Sequence, residues 1–144
     1  MQRDRTRRTV KYLFDTDVIS SLMKGSASQG LMERLGAASG ESQAISSITV
    51  FEVYYGAYRS VDPKRFIKLF ETKVLPVVEI IPFDDNAARI AGKLRAERER
   101  SGRPIAPGDL QIAAIALASG RILITGNNRH FMNIPGLDIE NWLE

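Results

Sequence analysis

The stretch Pro107–Ile124, PGDLQIAAIALASGRILI, decides how the rest of the chain is read. Proline suits the first turn of a helix, where its missing N–H is no loss, and Gly120 supplies a stop. The body between them, LQIAAIALA, is apolar nearly all round. That predicts a helix over Pro107–Ser119 buried on most sides, not a surface helix with one wet face. Directly beyond it, Ile122–Ile124 is short, apolar and β-branched, as a strand buried on both faces would be. A buried helix running into a buried strand is a unit of α/β architecture.

Working outward, the same alternation recurs. Short apolar runs occur at Lys11–Phe14, Ala44–Ile48 and Val77–Ile81, with a weaker one at Leu137–Ile139. Segments of helical period lie between them. Val18, Ile19, Leu22 and Met23 form one stripe, stopped by Gly25, and Val50, Val53, Tyr54, Ala57 and Tyr58 form a second. Phe66, Ile67, Leu69 and Phe70 suggest a helix after Pro63. Asp84 begins a long one, with Ala87, Ala88, Ile90, Ala91 and Leu94 inward and Lys93, Glu97 and Arg100 toward water. Strands separated by helices call for a single α/β domain with a mostly parallel sheet covered on both faces. In such sheets polar chemistry gathers at the carboxyl ends of the strands. Pattern alone does not fix the strand order.

Composition bounds the function. At 144 residues, 44% hydrophobic and 26% charged, the chain has the balance of one ordinary globular domain. It has no cysteine, which excludes disulfides, thiolate catalysis and cysteine-ligated zinc and is consistent with a cytoplasmic setting. No apolar run approaches the roughly 20 residues that span a bilayer, so no membrane role is expected. Residues 1–9 read as a flexible basic lead or a leftover from cloning, with the domain over residues 10–144. The net charge of +3 permits a nucleic-acid partner without requiring one. Lys and Arg concentrate in that lead and around Arg95, Arg98, Arg100 and Arg103, a run that for any single residue a solvated helix face explains better.

Four polar residues stand where strands end. Asp15 follows the first strand in YLFDTDVIS; alone, it would serve as a helix N-cap. Glu52 lies near the start of the helix after the second strand, where Thr49-x-x-Glu52 also fits a capping box. Asp109 opens the buried helix, and an acid there gains from the helix dipole in any case. Asn127 follows the fourth strand in ILITGNNRHF and alone would be a turn residue. Each has a structural explanation; their coincidence points further. In a parallel sheet these ends share one edge, and carboxylates gathered there repel unless neutralised. A hard divalent cation such as Mg²⁺ takes oxygen ligands and supports phosphodiester hydrolysis. Inventory removes alternatives: His130 is the only histidine, and no G-x-S-x-G, P-loop or G-x-G-x-x-G pattern occurs.

These motifs resemble the PIN-domain family, and within it the VapC toxins of toxin–antitoxin pairs. YLFDTDVIS is similar to the family's opening L-D-T-N/D motif, and ISSITVFEVYYGAYRS to its second segment with strand, Thr and Glu. GRPIAPGDLQIAAIALASG resembles the P-x-D-x-x-I-A-A segment, and ILITGNNRHF with PGLDIENW resembles the last strand, turn and closing strand. The resemblance runs in order over roughly residues 11–142. It implies a three-layer PIN-like fold with about five strands, Mg²⁺ or Mn²⁺ held by Asp15, Glu52 and Asp109, and endonucleolytic cleavage of RNA. It further implies a homodimer silenced by a VapB-like antitoxin.

Asn127 departs from PIN domains that carry a fourth acid there. An amide oxygen can ligate a metal but removes one negative charge, so weaker metal binding is expected. Asp17 reads as a helper outside the metal ligands or as a helix cap. His130, Arg95, Arg98 and Arg103 are candidate RNA contacts. Two rivals remain. FDTDVIS superficially fits the D-x-D of haloacid-dehalogenase-type phosphatases, with Asp15 as covalent nucleophile, but GDLQIA places Ala113 where that class wants its second acid. A catalytically inert RNA-binding or interaction module on the same fold is the other, and Asn127 is the feature that favours it.

Overall fold

The computed structural model describes residues 11–25, 27, 29–37 and 42–143; the proposed lead at 1–9 lies outside them. In chain order the elements are β1 (Lys11–Phe14), α1 (Thr16–Met23), α2 (Gln29–Ala37), β2 (Ser42–Ser46), α3 (Ser47–Arg59), α4 (Pro63–Leu69), a π-helical turn (Phe70–Val74) with a 3-10 turn (Leu75–Val77), β3 (Glu79–Ile81), α5 (Asp85–Arg100), α6 (Pro107–Ser119), β4 (Ile122–Ile124), α7 (Asn128–Phe131) and β5 (Ile139–Glu140). The sheet is five-stranded and parallel throughout, in the order β3-β2-β1-β4-β5. The chain therefore builds outward from β1 to β3, then returns to the other side of β1. The β1/β4 seam is the switch point at which α/β sheets place their sites.

Strand alternation divides the core. Leu13, Ala44 and Leu123 face the layer of α5 and α6, while their neighbours Phe14, Ile45 and Ile124 face the layer with Val18, Ile19, Leu31, Val53 and Phe70. Both faces are covered, which is why the strands read as continuous apolar runs. Helix α6 buries Leu110, Ile112, Ala113, Ala114, Ile115 and Ala116, nearly its whole circumference. Gly120 ends it at φ +65°, and the N–H groups of Gly120 and Arg121 return to the carbonyls of Leu117 and Ala116. This is a Schellman closure, and only glycine enters its left-handed conformation freely.

Several expected boundaries move. Strand β2 ends at Ser46, and Ile48 belongs to α3, because the Ser46 hydroxyl accepts from Thr49 N at 3.0 Å and starts the helix there. The capping box expected at Thr49-x-x-Glu52 is consequently not formed; Thr49 is already inside the helix and Glu52 is a turn further in. Val77 falls in the 3-10 turn, and the last strand begins at Ile139. Ala88 and Tyr58, expected on buried stripes, face solvent.

Candidate active site

Asp15 sits where β1 gives way to α1, at the β1/β4 seam, and is only 4% exposed. Its carboxylate accepts from Thr16 N and from the Thr125 hydroxyl, each at 2.8 Å, so it is held both from the start of α1 and from the end of β4. Burial, with the charge of neighbouring Asp17 next, pushes its pKa up to about 7, against the pull of those two hydrogen bonds. Asp17 is raised as well, chiefly by burial. Its Oδ2 accepts from Gly126 N at 3.0 Å and from the Asn127 amide at 3.2 Å, and its Oδ1 is buried without a hydrogen-bond partner. Asp17 thus ties the β4–α7 turn to α1.

Glu52 reaches the same place from α3. Its Oε1 accepts from the Thr16 hydroxyl, which lies 3.0 Å from the Thr49 hydroxyl, itself 3.3 Å from Ser46 Oγ. Asp109, in the first turn of α6, arrives from the other side and meets His130 Nδ1 at 2.9 Å. Asn127 precedes α7 without capping it; its side chain serves Asp17. All five line one cavity of about 490 Å³, together with Thr16, Ser20, Ser21 and Lys24. The four residues singled out from sequence as catalytic are therefore brought together, although Asp15 and Asn127 are 112 positions apart in number (127 less 15).

Two glycines make the gathering sterically feasible. A Cβ at Gly108 would lie 2.7 Å from Glu52 Oε2, and one at Gly126 would lie 2.9 Å from Asp17 Oδ2 and 2.4 Å from Leu143 Cδ1. Any side chain at either position would displace a carboxylate.

Among the described residues, no three His, Asp or Glu side chains stand grouped as a finished cation cage. Glu52 is turned to Thr16 and Asp109 to His130, so each spends a lone pair on a protein donor. The donor set still fits a hard divalent ion. It is all oxygen, it includes the unpartnered Asp17 Oδ1, and the burial and neighbouring carboxylate charge that raise Asp15 are what a cation offsets.

The candidate RNA contacts divide. Arg98 lines a neighbouring cavity with Asp109, Arg129 and His130, but its guanidinium donates to the carbonyls of Arg103 and Met132, bracing the turn before α6. Arg95 is paired with Glu99 on the outer face of α5, and neither it nor Arg103 lines the acidic cavity. Lys24, which lines the acidic cavity, and Arg129, which lines the two beside it, were not singled out from sequence. Lys24 was legible in principle: Asp17, Ser20, Ser21 and Lys24 recur at i, i+3, i+4 and i+7, a polar face on the side of α1 away from Val18 and Ile19.

Residues 12–137 match the family described as the PIN domain. The tRNA(fMet)-specific endonuclease VapC of Shigella flexneri is 35% identical over 133 residues, covering 92% of this chain and 98% of the relative. Among solved structures, the DNA-bound VapBC of Salmonella typhimurium superposes with a TM-score of 0.85 at 34% identity, covering 93% of this chain and 99% of the other. VapBC-1 of nontypeable Haemophilus influenzae gives 0.84 at 29% identity, covering 94% and 100%.

Proposed function

The chain belongs to the PIN-domain family, and from that premise we propose that it is a VapC-like toxin, a cytoplasmic endoribonuclease restrained by a cognate VapB-like antitoxin. The observation that carries this reading is the convergence of Asp15, Glu52 and Asp109, from three separate elements, on one cavity at the switch point of the sheet. Similarity to proteins named VapC and VapBC supports the activity and the partner; the homodimer is proposed from the family resemblance alone.

In this reading Asp15, Glu52 and Asp109 hold Mg²⁺ or Mn²⁺, and the Asn127 amide oxygen stands in for a fourth acid. The chemistry such an ion supplies when bound is the activation of water and the offsetting of charge that develops at phosphorus. The chain's own residues set the stage for it. Thr125 and Thr16 fix the Asp15 carboxylate, the Thr16 hydroxyl orients Glu52, and His130 holds Asp109. The covalent phosphoaspartate of a haloacid-dehalogenase-type phosphatase is set aside by the family match.

The test is to sequence RNA ends after brief expression of the wild type and of Asp15→Asn in the same cells. New ends of one sequence context should appear with the wild type alone. Matching profiles would end the proposal and leave the inert module, and calorimetric titration with Mn²⁺ would show whether even the ion site survives.

A further inference from the structure

The acidic cavity does not stand alone. It shares Asn127 with a second polar cavity of about 500 Å³ lined by Asn128, Arg129, His130 and Asn141. It shares Asp109 with a third, of about 250 Å³, to which Arg129 and His130 also contribute. The three form one trough along the carboxyl edge of the sheet. Its charge is ordered: Lys24 on the α1 side, carboxylates in the middle, Arg129 on the α7 side.

Of the other candidate arginines, Arg98 lines the trough but braces two carbonyls, and Arg95, paired with Glu99, and Arg103 do not line it. Lys24 and Arg129 are exposed, and neither is held in an ion pair among the described residues. A polyanion cannot settle over four carboxylates on shape alone, because each of its phosphates is repelled by them. Cations at both ends of the trough supply the missing attraction and fix the direction of the strand.

We infer that Lys24 and Arg129 are the two phosphate posts of the RNA site, binding backbone phosphates on opposite sides of the scissile one so that the strand runs from α1 across the carboxylates to α7. This rests on the ribonuclease reading and assigns its substrate track. Both are positioning residues, since neither is placed at the reacting atoms.

The experiment uses the full chain carrying Asp15→Asn, which cannot turn over, with a short fluorescein-labelled single-stranded RNA read by anisotropy across a salt series. Adding Lys24→Gln or Arg129→Gln should weaken binding several-fold and reduce the steepness of log K against log salt by about 0.7 for each phosphate no longer neutralised. Lys24→Arg should restore most of it, and Arg95→Gln should change neither quantity. In the cleaving background the same two Gln substitutions should raise KM and leave kcat within about twofold. Unaltered slopes and KM values for both Gln variants would overturn the inference, as would an equal loss for Arg95→Gln, which would mean diffuse attraction without posts. The failure of the underlying reading looks different: the wild type would cleave no RNA and the Asp15→Asn chain would bind none.

Discussion

Asp15 carries a proton to about pH 7 in the folded chain, where an ordinary aspartate releases it near 3.8. Between those values the unfolded chain binds fewer protons than the folded one, so metal-free stability falls as pH rises and the loss is complete above about 7. Below about 4 both states hold the proton and the group contributes no slope. Asp15→Asn removes the charge while keeping an acceptor for Thr16 N. We expect it to stabilise the metal-free protein at pH 8 by on the order of 2 kcal/mol and to have little effect at pH 4, measured by urea unfolding at the two pH values. Mn²⁺ should stabilise the wild type at pH 8 and not the variant. The glycines give a second prediction at this scale. Gly108→Ala drives a methyl against Glu52, and Gly126→Ala drives one against Asp17 and Leu143. Gly108→Ala should keep the fold and weaken Mn²⁺ binding about tenfold or more by calorimetry; unchanged affinity would show that Glu52 is no part of the ion site.

At the scale of elements, Ser46 decides where β2 stops. Its buried hydroxyl accepts from Thr49 N, and without it the first turn of α3 loses a cap. Ser46→Ala should cost about 1 kcal/mol in urea unfolding. It should also lower activity, since α3 carries Glu52 and the hydroxyl ladder through Thr49 and Thr16 begins at Ser46. That turn also marks where sequence reading reached its limit. The run Ala44–Ile48 is apolar enough to extend the strand, and nothing in hydropathy says that one serine hydroxyl will end it. Helices with long, one-sided or fully apolar patterns, α5 and α6, were legible because burial dictates their composition. Helix α2 was not, because QGLMERLGA buries only Leu31 and carries two glycines. The acids were readable from their places after strands. Their hydrogen-bond partners were not: pairing Asp109 with His130 or Asp17 with Gly126 requires the strand order, which β4 crossing to the far side of β1 alone determines.

Across the whole molecule the two ends of the sheet are specialised in opposite ways. The carboxyl edge holds crowded carboxylates, and the amino edge is tied by a buried cation. Arg121, 7% exposed at the start of β4, donates to Tyr12 O of β1 and Ser42 Oγ of β2 at 3.2 Å, and to Glu79 of β3 at 3.0 Å. One side chain thus fastens four adjacent strands at the end remote from the site. Because Glu79 is 59% exposed, the ion pair itself contributes little, and the cost of losing Arg121 comes from its lost hydrogen bonds to Tyr12 O and Ser42 Oγ and from the emptied volume. Arg121→Ala should therefore destabilise by about 2–3 kcal/mol, a large share of a domain's margin. Glu79→Gln should cost under about 1 kcal/mol. Below its lowered melting temperature, the Arg121→Ala protein should bind Mn²⁺ as tightly as the wild type, since the β1/β4 carboxyl ends are registered by their own ladder from Tyr12–Ile122 to Phe14–Ile124. Parallel urea unfolding and calorimetry decide it. A loss of ion affinity in step with stability would mean that the amino edge sets the spacing of Asp15 and Asn127, and that the two edges are not mechanically separate.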